Sequence, residues 1–284
     1  MSGSRALPVR TVALACFLGT CLLVAALGIV WARESGQPRV VLLGSGGSVS
    51  VLVASGDARL LIATGSDPAS FAAALEAARQ PVQRRIDVLL AAGRGDDLLV
   101  PAAVASDEHV RMVATLGRLA TGPGLESLAD RPALTESRQV ALDGGASVLL
   151  ETSRTDGEED DGPERWAWRA TVARGNARVV VLSDGAAVNL FPPPDSPSLV
   201  VVAGGEPFAA IGPGTGAAAP AIAFADRALS PRSMRESAGA VSAGWAIRVF
   251  DGEAIAIPFT GAGLVIPTDA AVPLGLPIAA TPAP

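Results

Sequence analysis

The side chains best placed to do chemistry form a short acidic set. Arg94, Asp96 and Asp97 stand in the turn Gly93-Arg94-Gly95-Asp96-Asp97, and Asp184 stands in a second glycine-containing turn, Leu182-Ser183-Asp184-Gly185. Carboxylates alone suit hard cations in weak sites better than a hydrolytic zinc centre. The chain has one histidine, His109, so no multi-histidine metal centre can be assembled. Its two cysteines, Cys16 and Cys21, both lie in an apolar stretch near the N-terminus, which leaves the rest without a thiolate ligand, a thiol nucleophile or a disulfide. No Gly-x-Ser-x-Gly elbow occurs, and the absence of lysine excludes a phosphate-binding P-loop.

These residues must be positioned by elements that the pattern makes legible. Val40 to Leu43 is a short apolar run, Gly44-Ser45-Gly46-Gly47 turns the chain, and Val49, Val51 and Val53 alternate as in a strand. Ser55-Gly56-Asp57 carries turn residues and Arg59 to Ile62 supplies the return strand. Asp67 reads as an N-cap with Pro68 first in the helix, Phe71, Leu75 and Ala78 share a face, and the helix ends before Pro81. Ile86 to Leu90 is another buried strand, giving the order β-β-β-α-β. Gly44 and Gly46 do not make a dinucleotide fingerprint, because the turn leads into a strand and Val49 replaces the third glycine.

Further along, Asp107 to Met112 is expected to be a short helix with His109 solvated, and Asp156 to Asp161 an acidic loop without calcium-loop spacing. Trp166 and Trp168 share a strand face, as packing residues rather than a sugar platform. Phe191 to Pro197 reads as stiff extended chain and Gly212 to Pro220 as a flexible loop. Residues 246 to 257 read as a hairpin with Asp251-Gly252 at its turn.

Thr11 to Trp31 contains no charge over 21 residues. At about 1.5 Å per residue, a helix of that length matches a hydrocarbon core of roughly 30 Å, so residues 11–31 are read as a transmembrane helix. A cleaved signal peptide ending at Val30-Trp31-Ala32 is the competing reading, against which the length of the apolar stretch counts. Arg5 and Arg10 precede the span, which favours residues 1–10 in the cytoplasm and the C-terminal domain outside. Residues 32–39 are a short linker, 40–267 one β-rich domain, and 268–284 an Ala/Pro-rich tail expected to lack a fixed fold. All 22 basic residues are arginines, and the formal charge of −6 argues against a broad surface for nucleic acid, leaving only a local patch of scattered arginines such as Arg84, Arg85 and Arg94.

The residues resemble a family, the metallo-β-lactamase-like fold, and within it the C-terminal domain of the bacterial competence protein that carries DNA across membranes. Val40 to Leu52, with Gly44 and Gly46 in the turn, is similar to the family's opening hairpin. Leu61-Ile62-Ala63-Thr64-Gly65 is similar to its Asp-x-Gly turn with alanine at the aspartate, and Ile86 to Leu90 to the strand before its metal loop. That loop, His-x-His-x-Asp-His in the family, is here Ala92-Gly93-Arg94-Gly95-Asp96-Asp97. Leu182 to Gly185 resembles the turn with the metal-bridging aspartate, at Asp184, and Leu199 to Ala203 the strand before the last histidines, where Gly204 stands.

The resemblance implies an α/β fold, a β-rich αββα four-layer sandwich preceded by the transmembrane helix, with a degenerate site at Ala92, Arg94, Asp96, Asp97, Asp184 and Gly204. Without imidazoles these residues are not expected to hold two metals about 3.5–4 Å apart, so neither metal nor cofactor is expected. Two readings of these residues stay open: Arg94 pairs with Asp96, Asp97 and Asp184, substituting its own charge for the metals, or all are solvated residues of a polar loop. The function implied is that of a membrane-anchored pseudoenzyme that binds or scaffolds at the cell envelope, with an unnamed envelope partner or ligand. By resemblance it would accompany DNA uptake. The alternative is a weak carboxylate-metal hydrolase of the nuclease or phosphodiesterase type using Asp96, Asp97 and Asp184.

Overall fold

The apolar runs between residues 40 and 90 all become elements, because each is buried on both sides. In the computed structural model the described residues are 20, 22, 37–45, 48–78, 85–107, 109–119, 122–155, 165–183, 187–191, 199–202, 221–225, 245–249, 254–260 and 263–264. Strands β1 (Arg39–Ser45), β2 (Ser48–Ser55) and β3 (Ala58–Ala63) form an antiparallel meander, with Val41 opposite Leu52 and Leu52 opposite Leu61. Helix α1 (Pro68–Ala78) starts where Asp67 Oδ1 accepts the backbone N–H groups of Ala69 and Ser70 at 3.0 and 3.1 Å. The chain then returns as β4 (Ile86–Ala91), parallel to β3.

After β4, Gly95–Leu98 makes one 3₁₀ turn that runs directly into α2 (Leu99–Ala105). Strand β5 (Val110–Leu116) follows parallel to β4, and the short β6 (Ala133–Leu134) parallel to β5. The helix expected at Asp107 to Met112 is therefore a turn and the start of a strand. Pairing with β4 overrides the local preference there, and the carbonyl of His109 accepts the N–H of Ile86 at 3.1 Å.

The second sheet contains β7 (Arg138–Ala141), β8 (Ser147–Thr155), β9 (Arg165–Arg174) and β10 (Ala177–Leu182), all antiparallel. After α3 (Ala187–Leu190), β11 (Leu199–Val202), β12 (Ala221–Ala225) and β13 (Trp245–Val249) extend it in parallel. β14 (Ala254–Thr260) then crosses back to pair antiparallel with β1, and β15 (Gly263–Leu264) pairs with β14. The strand orders are β15-β14-β1-β2-β3-β4-β5-β6 and β13-β12-β11-β10-β9-β8-β7.

The expected hairpin over 246–257 does not form, because its two strands lie in different sheets. Asp251-Gly252 is turn chemistry in sequence, but Ile255, Ile257 and Phe259 are buried between the sheets when β14 pairs with the edge of β1.

Two apolar layers hold these parts. Between the sheets, Leu42, Val51, Leu60, Ile62 and Leu90 meet Val148, Leu150, Trp168, Val172, Val179 and Val201. On the other face of the first sheet, Leu43, Leu61 and Leu89 meet Phe71 and Leu75 of α1 and Val100 of α2. A sheet covered on both faces needs near-continuous apolar strands, which is why Val-Val-Leu-Leu and Leu-Leu-Ile-Ala do not alternate. The β-rich α/β sandwich that the resemblance implies thus has helix, sheet and sheet as layers among the described residues, with α3 alone beyond the second sheet. The expected span at 11–31 falls outside the described residues apart from 20 and 22, and no helix among those described is long and apolar enough to cross a membrane. The acidic run at 156–161, the segments at 192–197 and 212–220, and the tail at 268–284 also lie outside them.

Candidate functional site

The first sheet brings the loops that follow β1, β3 and β4 to one end of the sandwich, where the carboxyl ends of the parallel strands β3 to β6 also lie. Ligand crevices of open α/β sheets form at such ends. Here the turn after β3 and the loop after β4 are tied together: the N–H of Gly65 donates to the carbonyl of Asp97 at 2.8 Å, and the N–H of Val100 to that of Gly65 at 3.0 Å. Gly93 has φ of 117°, and a Cβ on it would come within 2.8 Å of Asp97 Cβ and 3.0 Å of Thr64 Oγ1. Ala92 is fully buried and its N–H donates to the Ala63 carbonyl at 2.9 Å.

A hydroxyl set that sequence reasoning missed supports this loop pair. Ser50 Oγ donates to the Thr64 carbonyl at 2.8 Å and accepts from the Thr64 N–H at 3.0 Å, while Ser45 Oγ donates to the same carbonyl at 3.4 Å. Ser45, Ser50 and Thr64 are all buried. Ser48 Oγ donates to Asp97 Oδ1 at 3.2 Å. The signal was present as serine at alternate positions 48 and 50 of an otherwise apolar strand, but only the fold shows what those hydroxyls face.

Of the six residues singled out in sequence, four are described. Arg94 and Asp96 are exposed, Asp97 is half-buried, and Ala92 is in the core. Among the described residues Arg94 forms no ion pair with Asp96 or Asp97; the partner of Asp97 is the Ser48 hydroxyl, and Arg94 acts on it only through its field. The expected pairing of Arg94 with these two carboxylates is corrected accordingly. An exposed guanidinium keeps its hydration, and surface pairing gains little against side-chain entropy. Asp184 and Gly204 lie outside the described residues. The strands leading to them, β10 and β11, end at the same edge as Asp97, because Trp166 at the start of antiparallel β9 covers Gly117 just beyond β5.

Burial pushes the Asp97 carboxyl above its ordinary value of 3.8, against the Ser48 hydrogen bond and the field of Arg94, which lower it; Asp96 adds to the rise. A carboxyl raised on folding disfavours its charged form in the folded state. The penalty is fully present above the folded value and vanishes below the unfolded one. Asp97→Asn is therefore expected to stabilise the protein at neutral pH, by under about 1 kcal/mol because the group is half open to water. The gain should shrink as pH falls through the carboxylate range. Urea unfolding of both proteins from pH 7 to pH 3 checks this, and a gain that grew on acidification would contradict it.

The donors that the described residues supply do not make up a two-metal centre. No group of three His, Cys, Asp or Glu side chains able to hold a metal occurs among the described residues. His109 sits before β5, level with the start of β4, whereas the Asp97 loop follows the end of β4. The six residues of β4 put about 20 Å between the two ends. His109 instead pairs with Asp107, Nδ1 to Oδ1 at 2.6 Å, on an exposed turn.

No protein-family profile matches the sequence, and neither does any curated protein. Among solved structures, the chain is similar to the Rm3 metallo-β-lactamase with 18% identity and a TM-score of 0.39, over 62% of this chain and 78% of that one. It is similar to CmlA, a diiron β-hydroxylase from Streptomyces venezuelae, with 15% identity and a TM-score of 0.34, over 58% of this chain and 34% of the hydroxylase. Unliganded yeast PDE1 shares 8% identity and a TM-score of 0.41, over 76% of this chain and 88% of that one. What assigns the architecture is the strand order and the two apolar layers, not these overlays.

Proposed function

We propose that this protein is a membrane-anchored, extracytoplasmic pseudoenzyme of metallo-β-lactamase-like ancestry that binds or scaffolds at the cell envelope. The observation that carries this reading is the place of its sole imidazole, at the far end of the sheet from the Asp97 loop. Two metals that activate a bridging water need closely spaced donors of the right kind, and a half-buried aspartate held by a serine hydroxyl does not supply them. The Asp97 loop could hydrogen-bond a polar group through Asp97, Ser48 and Arg94. The sequence resemblance makes the DNA-uptake machinery the partner class, reached through protein contacts, since a net charge of −6 disfavours a DNA-binding surface.

The second reading, a weak carboxylate-metal hydrolase, is favoured by one observation: the strand leading to Asp184 ends at the same edge as Asp96 and Asp97. Metal analysis of the purified full chain, with a phosphodiesterase and nuclease assay in added manganese, separates the two. The pseudoenzyme reading expects no stoichiometric metal and no turnover beyond that of Asp97→Ala or Asp184→Ala. Tightly bound metal, or turnover abolished by Asp184→Ala, would establish the hydrolase.

A further inference from the structure

The chain reaches the sandwich at the end away from the Asp97 loop. Residues 37 and 38 lead into β1 at Arg39, and β1 then runs seven residues to Ser45, beside the Asp97 loop. At about 3.3 Å per residue this separates the two ends by about 20 Å before any loop is added. From Trp31, the last residue of the uncharged stretch, to Gln37 the chain has six steps, which reach at most about 22 Å. Turning the Asp97 loop toward a membrane that holds residues 11–31 would require this connection to climb the full height of the sheet at its limit of extension. The opposite orientation needs no such reach.

At the end next to residue 38 several described groups are tied to one another. The Ser55 hydroxyl donates to the carbonyl of Asp143, and Gly144 lies against Pro38 and Ser55, so the turn at 143–145 clamps the β2–β3 turn to the start of β1. Arg85 pairs with Asp87 at 3.0 Å and His109 with Asp107 at 2.6 Å on the same edge. Buried Arg59 donates to the carbonyls of Gly56 and Ala58 at 2.7 Å. The length of the connection is what sets the orientation.

We propose that this end, comprising Pro38, the Gly56-Asp57 turn, the turn at Asp143 and the starts of β4 and β5, rests on the phospholipid headgroup surface. The Asp97 loop then faces away from the bilayer, toward a soluble or envelope-borne partner. The proposal rests on the anchor reading of residues 11–31.

The test uses the full chain with Cys16→Ala and Cys21→Ala, reconstituted in phosphatidylcholine vesicles. A fluorophore is attached at Asp57→Cys or at Asp96→Cys, and headgroup-labelled quencher lipid is added. Quenching is expected to be several-fold greater at position 57 than at 96, and the same at low and high salt. Equal, reversed or absent quenching in protein that floats with the vesicles overturns the docking and leaves the anchor intact. Protein that does not float, with a mature N-terminus beyond residue 31, overturns the anchor reading and the docking with it.

Discussion

Phe259→Ala is expected to lower the free energy of unfolding by about 3–5 kcal/mol, the range for truncating a large buried aromatic side chain. Phe259 is 1% exposed and sits between the two sheets with Ile255 and Ile257. Its backbone is held on both sides: its N–H donates to the Pro38 carbonyl at 2.9 Å, and its carbonyl accepts from Arg174 Nη1 at 3.0 Å. The truncation therefore leaves a cavity that β14 cannot close by moving. Equilibrium urea unfolding measures the loss. The same experiment tests the crossover, since the β13–β14 hairpin suggested by Asp251-Gly252 would not place this ring in the apolar layer between the two sheets. A loss below about 1 kcal/mol would mean that β14 does not complete the first sheet.

Gly65→Ala should be nearly as damaging, by about 2–4 kcal/mol, through backbone strain and overpacking together. Gly65 has φ of 134°, and a Cβ there would run into the Ser45 hydroxyl, with the Ser45 carbonyl at 3.1 Å and Val100 at 3.3 Å. Ser45 cannot yield easily, because it is buried and bonded to the Thr64 carbonyl. The substitution would also push apart the two loops joined by the Gly65–Asp97 and Val100–Gly65 hydrogen bonds, and so unseat Asp97. Gly95→Ala is the matched control. Its φ of 54° is also positive, but nothing lies within 4 Å of a Cβ there, so about 1–2 kcal/mol of conformational cost is all that is expected. Equal losses from the two variants would show that the loop pair is not packed as described.

Much of the first sheet was legible in the residues. Val40 to Leu43, Val49 to Val53 and Ile86 to Leu90 could be assigned because apolar runs bounded by glycine, aspartate and proline have few other solutions. Asp67-Pro68 marked the start of α1 for the same local reason, a side-chain oxygen capping N–H groups two and three residues ahead. The strand from Leu199, which the resemblance implied, also forms. Asp107 to Met112 and residues 246 to 257 were not, because in both the local pattern was overruled by a partner strand far away in sequence. The candidate site divides along the same line. Its glycines and carboxylates were visible as types, but Ser48 as the partner of Asp97 and the exposure of Arg94 depend on which loops the strands bring together.

The sequence by itself determined what chemistry the chain can attempt: one imidazole, no thiol beyond residue 21, and no lysine leave carboxylates, hydroxyls and guanidinium groups. Residue type sets that inventory, and no folding changes it. Only the tertiary structure decided where those groups stand. Strand pairing between distant segments carried His109 to one end of the sheet and Asp97 to the other, and no local spacing encodes that separation.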